Sequence, residues 1–198
     1  MTNRITRPLT LSGTHASLVP LSMEHLAGLQ DAVRDGELWR LWYTSVAAPE
    51  AMAAEIERRL RLQKQESMLP FTVLDAAGQI AGMTSYMNID NLNRRVEIGS
   101  TWYARRVQRT PLNSECKLML MRHAFETLGC IAVEYRTHRL NTQSRRAIER
   151  LGAQLDGILR SHQISANGTL RDTAVYSIVA AEWPTVRAHL EFQLERVR

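Results

Sequence analysis

Residues 94–128 read RRVEIGSTWYARRVQRTPLNSECKLMLMRHAFETL, and their types and spacing suit the binding of a phosphate-bearing molecule. Arg105, Arg106 and Arg109 stand in a loop that runs straight into an amphipathic helix. The first N–H groups of a helix lack intrahelical acceptors and face the positive end of its dipole, so such a junction attracts anions. Loops that cradle phosphate usually contain glycine. None lies between Trp102 and Leu128 here, and Pro111 has no N–H to offer. Side chains can compensate: the Arg109 guanidinium, the Thr110 hydroxyl and the Asn113 amide. The other reading is a loop with Asn113 as a helix cap and nothing bound.

A second segment, NTQSRRAIERLGA from Asn141 to Ala153, begins a helix with two capping residue types, Asn141 and Ser144. Glu97, in the strand that feeds the arginine loop, could take a proton from a nucleophile, or could pair with Arg94 or Arg95. His138, at a strand end, could line a substrate groove, although a lone histidine there is more often a surface residue; His123 lies on the helix and reads as structural. Cys116 follows the helix start, where a thiol pKa falls, yet its position reads as packing. No CxxC or HExxH spacing occurs, so no metal site is expected.

The whole chain bounds these ideas. Its 198 residues suit one domain over 1–198, with 44% hydrophobic and 23% charged residues. No apolar run approaches the roughly 18–20 residues that span a bilayer. The opening MTNRITRPLTLSG has no apolar signal core, so a cytoplasmic setting is expected. Two cysteines make no disulfide framework. A net charge of +5 permits an anionic cofactor or nucleic acid and proves neither. The arginines cluster at Arg94/Arg95, Arg105/Arg106/Arg109 and Arg136/Arg139/Arg145/Arg146. No recognition helix or base-stacking motif accompanies them, so no nucleic-acid partner is expected.

The elements that must position these residues follow from periodicity. Strands are expected at Leu9–Leu11 and Ala16–Val19 around Gly13, then a helix capped by Ser22 with Leu26, Leu29 and Val33 inward, ending at Gly36. The aromatic ELWRLWYTSV has no clean period, and Pro49 opens a second helix carrying Met52, Ala53, Ile56 and Leu60. Phe71–Leu74 and Ile80–Met87 read as a hairpin turning at Ala76–Gly78, followed by a strand at Val96–Tyr103. From Ser114 a helical stripe of Leu118, Met121, Phe125 and Leu128 runs to Gly129, before a strand with Ile131, Val133 and Tyr135. A helix from Thr142 turns Ala147, Ile148 and Leu151 inward and stops at Gly152. Leu155–Ile164 and Thr173–Val179 flank an Asn167–Gly168 turn, and Trp183–Pro184 starts a last helix with Val186, Leu190 and Leu194. The order is ββ-α-α-βββ-α-β-α-ββ-α, a mixed α/β fold.

This order and the two motifs within it resemble the GNAT superfamily of acetyl-CoA-dependent N-acetyltransferases, nearest its ribosomal-protein-alanine (RimJ/RimL-like) branch. VEIGSTWYARRVQRTPLNSE resembles the branch's strand, Q-G-K-G-Y-A-T-E loop and helix; NTQSRRAIERLGA resembles N-x-x-S-…-L-G-[FA]. The match runs from about Leu9 to Val179. Gln108 agrees, whereas Arg109 and Pro111 stand where glycines are usual. The resemblance implies a GNAT-like acyltransferase fold, with a mixed, mostly antiparallel central sheet flanked by helices.

It further implies acetyl (or short acyl) transfer from acetyl-CoA to a primary amine, by direct attack in a ternary complex. The cofactor residues would be Ile98, Gly99, Ser100, Gln108, Arg109, Thr110, Pro111, Leu112, Asn113, Ser114, Asn141 and Ser144. Asn141 would touch the pantetheine arm, and Ser144 would lie near the thioester sulfur. Many members carry a tyrosine seven residues after the Asn; here that position is Ile148, so Ser144 is the implied replacement. Glu97 is the candidate base and the Ile98–Ser100 backbone the oxyanion donor. Trp39, Trp42 and Tyr43 could wall the acceptor groove, with core packing open for one tryptophan. A small-molecule or peptide amine is the expected acceptor, no membrane partner is expected, and homo-oligomer formation stays open. The alternative is a CoA-binding protein of this fold with weak or no catalysis.

Overall fold

An open eight-stranded sheet carries the chain from Leu11 to Val179 in a computed structural model that describes residues 5–196. The strands are β1 (Leu11–Ser12), β2 (Ala16–Pro20), β3 (Met68–Asp75), β4 (Ile80–Asp90), β5 (Arg95–Tyr103), β6 (Ala132–His138), β7 (Gln154–Ile164) and β8 (Leu170–Val179). They lie in the order β1-β2-β3-β4-β5-β6-β8-β7. Every neighbouring pair is antiparallel except β5 and β6. The connection between that parallel pair is α3 (Leu112–Arg122), as a parallel crossover requires. The other helices are α1 (Leu26–Arg34), α2 (Met52–Lys64), α4 (Thr142–Glu149) and α5 (Trp183–Glu195).

Alternation along the strands sorts side chains between two faces. Leu69, Phe71 and Val73 of β3, Tyr86 of β4, Val96 and Ile98 of β5 and Val133 and Tyr135 of β6 are all buried in the core. On this face the Tyr86 hydroxyl donates to the Leu120 carbonyl of α3. On the opposite face, buried Arg59 of α2 donates to the Ser85 hydroxyl of β4. That second face carries Glu97, Glu134, Arg136 and His138 on β5 and β6.

The structure shifts several expected boundaries, each for a local reason. β3 begins at Met68 and runs through Pro70. The strand tolerates proline because β2 ends opposite Phe71, so no ladder N–H is demanded at Pro70. The second helix opens with a 3-10 turn at Pro49–Ala51, and ELWRLWYTSV folds a 3-10 turn at Leu38–Arg40. α3 starts at Leu112 rather than Ser114. Its last turn widens into a π turn at His123–Thr127, within which Phe125 stacks on Trp183 at 5.2 Å. Ile131 precedes β6 and is half exposed, so only Val133 and Tyr135 of the expected alternation turn inward.

Candidate active site

The site begins where the sheet comes apart. β5 and β6 pair only at Arg95–Ala132, Val96–Val133 and Glu97–Glu134. Beyond Glu97 the two strands separate, and their carboxyl ends open a crevice of the sort ligands occupy in α/β sheets. One extra β5 residue sits between the Met83–Trp102 and Ser85–Gly99 pairs, a bulge in which Ser100 takes φ +49°. The left-handed residue of the bulge is Ser100 and not the neighbouring Gly99. Gly99 is needed for space instead: a Cβ there would stand 2.7 Å from Glu97 Oε1 and 2.8 Å from Met87 Sδ. Arg59 holds the bulge by donating to the Ser100 carbonyl at 3.1 Å, while its Nε pairs with Glu55 at 2.6 Å. On the core side, Lys117 of α3 donates to Thr101 Oγ1 at 2.9 Å, and burial lowers its ammonium pKa to about 8.

At the mouth of the crevice, the arginine loop forms a 3-10 turn over Arg105–Val107 and then enters α3. Arg106 is structural. Its N–H donates to Asp35, and its guanidinium pairs with Asp75 and reaches the Ile80 carbonyl at 2.9 Å. Gln108 donates to the Tyr103 carbonyl at 3.1 Å, and the Thr110 hydroxyl donates to the Val107 carbonyl at 2.7 Å. Arg109 is exposed and adopts φ +62°, the left-handed conformation for which glycine is the usual residue. Pro111 takes the cap position and supplies no side-chain hydrogen bond, and the helix ladder starts with Glu115 N donating to the Pro111 carbonyl. Asn113 and Ser114 are half-buried in this uncapped first turn. The Asn113 cap offered as the alternative reading is therefore absent.

Glu115 anchors the helix start from below. Its carboxylate accepts backbone N–H groups of Thr14, His15 and Ala16 at 2.9, 2.6 and 2.8 Å. Gly13 leaves room for it: a Cβ at 13 would lie 2.4 Å from Glu115 Cδ. Cys116 is buried, in keeping with its reading as a packing residue. Burial pushes its thiol up to about 12, overriding any lowering at the helix start, so it packs as an inert side chain.

On the opposite face, Glu97 is 5% exposed and lines a 490 Å³ pocket with Asn88, Asp90, Glu134 and Arg136. Asn88 Nδ2 donates to it at 2.6 Å, and Arg136 Nε lies 3.6 Å away. Neither arginine proposed as its partner pairs with it; Arg95 faces Glu134 at 3.6 Å. Burial outweighs Asn88 and Arg136 and pushes the Glu97 carboxyl up to about 6. His138 is buried too. Its Nδ1 accepts the Leu140 N–H at 3.0 Å, which assigns the proton of the neutral ring to Nε2. That Nε2 has no partner among the described residues. Trp42 meets the His138 ring edge-on at 5.1 Å, with Tyr43 at 6.4 Å, whereas Trp39 packs against the core.

Asn141 follows β6 at the same end of the sheet as the arginine loop. Its Oδ1 accepts the Ser144 N–H at 3.0 Å and so caps α4. Ser144 is half-buried, with no side-chain partner among the described residues, and Ile148 is buried in the core. Sequence reasoning missed Glu115, Lys117, Arg59 and Asn88. Lys117 carried a faint signal, a lysine inside the apolar run of a crossover helix. Glu115 looked like an ordinary acidic first-turn residue.

The sequence model of the family described as "Acetyltransferase (GNAT) domain" matches residues 16–154. The Bacillus subtilis (strain 168) protein YdaF, provisionally named a ribosomal N-acetyltransferase, is 32% identical over 106 residues, 54% of this chain. The match spans 57% of that relative's length. The crystal structure of a GCN5-related N-acetyltransferase from Brucella melitensis is 30% identical and superposes with a TM-score of 0.85, covering 95% of this chain and 86% of its own. Mycobacterium smegmatis RimJ, solved in complex with CoA-disulfide, shares the fold at 20% identity and TM-score 0.81, covering 96% of this chain and 97% of its own.

Proposed function

The chain belongs to the GNAT acetyltransferase family, and from that premise we propose that it moves an acetyl or short acyl group from acetyl-CoA to a primary amine in a ternary complex. The observation that carries this reading is Glu97: a buried carboxylate with its pKa near 6, set where β5 and β6 part. Acetyl-CoA supplies the acyl thioester.

The residues present fit that group. Ile98, Gly99 and Ser100 lie where β6 no longer pairs with β5, so those of their backbone groups that β4 and Arg59 do not hold are open to a pantetheine arm. The Asn141 amide nitrogen is available from the other side of the crevice while its oxygen caps α4. In the first turn of α3 the Leu112 N–H donates to Thr110 Oγ1 at 3.4 Å, and the N–H groups of Asn113 and Ser114 face anions alongside Arg109. Pro111 has no N–H to offer the cofactor, and the Gln108 and Thr110 side chains shape the loop by bonding to its carbonyls. RimJ holding CoA as a disulfide on this fold supports the same choice of cofactor.

In this scheme Glu97 accepts the proton the amine must lose, directly or through a water, and a pKa near 6 keeps it ionised at neutral pH. Backbone N–H at the bulge stabilises negative charge developing on the carbonyl oxygen, which Arg59 favours by fixing the bulge. The Ser144 hydroxyl donates to the departing thiolate. In the pocket on this face Arg95 and Arg136 take up Glu134, which leaves Glu97 and Asp90 as the carboxylates an arriving ammonium would meet. The name of YdaF, a ribosomal N-acetyltransferase, supports a ribosomal amine as one such acceptor.

Thiol release from acetyl-CoA over a panel of amines tests the reading; CoA binding without release from any amine would leave only the binding role. Arg109→Ala should raise the apparent acetyl-CoA constant roughly tenfold, the worth of one charged hydrogen bond, with turnover changed far less. Unchanged cofactor affinity would remove Arg109 from phosphate binding. Ser144→Ala should cut turnover about tenfold at near-constant acetyl-CoA affinity, read from initial rates and calorimetry. A fully active variant would take Ser144 out of the chemistry.

A further inference from the structure

The acceptor face holds two hydrogen-bond donors that the proposed chemistry does not use. Arg171 lies on β8 and is half-buried. Its Nε donates to Thr173 Oγ1 at 3.2 Å, and no carboxylate among the described residues lies within salt-bridge distance of it. Thr173 pairs directly opposite His138 across the β6–β8 ladder, so the Arg171 guanidinium is drawn toward the histidine. His138 is buried, with Nε2–H unpartnered and Nδ1 occupied by Leu140 N–H. Burial and the Arg171 charge both hold this ring neutral, so Nε2 is a donor and not an acceptor. Asp172 pairs with Arg139 and Arg160, and Glu134 with Arg136 and Arg95; Glu97, which holds Arg136 at 3.6 Å, attracts Arg171 only from beyond ion-pair distance.

On one face, the half-buried Arg171 guanidinium has only the Thr173 hydroxyl as a hydrogen-bond acceptor and a distant attraction to Glu97, and the buried His138 Nε2–H has no acceptor among the described residues. A neutral amine would leave the guanidinium unmatched. An oxyanion would satisfy it, with the Arg fork suited to carboxylate or phosphate. We propose that Arg171 and His138 Nε2 form an oxyanion subsite, and that the preferred acceptor is an amine carrying a carboxylate or phosphate group. This rests on the acetyl-transfer reading. The amine would sit toward Glu97 and its acidic neighbours, the anion toward Arg171, and Trp42 and Tyr43 would border the anion end.

Matched pairs test this on the full chain saturated with CoA: phenylalanine against phenylalaninamide for carboxylate, and phosphoethanolamine against ethanolamine for phosphate. Binding is read by calorimetry and transfer by thiol release with acetyl-CoA. The expected result is at least tenfold tighter binding of the anionic member of one pair, which also identifies the oxyanion. Arg171→Met should collapse that ratio to near one, and Arg171→Lys, which keeps a charge without the fork, should restore part of it. Equal binding within both pairs, no binding of any member, or an unchanged ratio in Arg171→Met would overturn the subsite. Anion-selective binding without acetylation of any amine would keep the subsite and overturn acetyl transfer instead.

Discussion

Glu97→Gln is expected to lower turnover by about a hundredfold or more while making the protein no less stable at pH 7. The first half follows from losing a positioned base, worth roughly 10²–10⁴ in rate. The second follows from linkage. The folded pKa near 6 lies above the ordinary 4.5, so between those values the folded state binds more protons than the unfolded. The stabilising share of Glu97 is thus complete below about 4.5 and is lost as pH rises through 6. At neutral pH the buried carboxylate costs on the order of 2 kcal/mol. Glutamine removes the charge and keeps an acceptor for Asn88. A carboxylate with only a structural role would behave the other way: activity would be kept, and stability would fall. Initial rates with saturating acetyl-CoA, together with urea unfolding at pH 7, separate the two cases.

Glu115→Ala should produce the largest loss of stability, about 3–4 kcal/mol. Three backbone donors, Thr14, His15 and Ala16, share this one carboxylate, and Ala16 is buried where water cannot replace it. A buried donor left unsatisfied costs roughly 1–3 kcal/mol, more where the lost partner was charged. In a chain of 198 residues that corresponds to a melting temperature lower by about 10 °C. Because Glu115 also ties the start of α3 to the β1–β2 turn, acetyl-CoA affinity should weaken with it. Glu115→Gln keeps one acceptor oxygen and should lose about half as much. Scanning calorimetry checks the series, and a wild-type melting point for the alanine variant would show that the turn finds other acceptors.

The element order was legible because each segment carries its own period. Val133 and Tyr135 alternate, Leu118 and Met121 repeat at helical spacing, and Asn167–Gly168 marks its hairpin. Glu97 stood out as a candidate because it is a carboxylate in the strand before the arginine loop. Its partners were not legible, since Asn88 and Arg136 come from neighbouring strands whose register no local pattern fixes. The arginine loop was read as a phosphate cradle with the wrong residues. In the structure Arg109 takes the left-handed conformation itself, at a cost of about 1–2 kcal/mol for a non-glycine residue. Arg106, counted with it, is consumed by Asp35 and Asp75. Glu115 was not legible, and Lys117 barely so, for a general reason: a buried charge on a helix looks like a surface charge until its distant partners, Thr14–Ala16 or Thr101, are brought to it.

The pH dependence of kcat/KM, measured with any amine the wild-type protein acetylates, tests the central claim most directly, because it reports the base in the free enzyme. The wild-type profile should fall below an apparent pKa near 6, and the residual activity of Glu97→Gln should lack that limb with acetyl-CoA affinity unchanged. An acidic limb that persists in Glu97→Gln would contradict the assignment and place the base elsewhere.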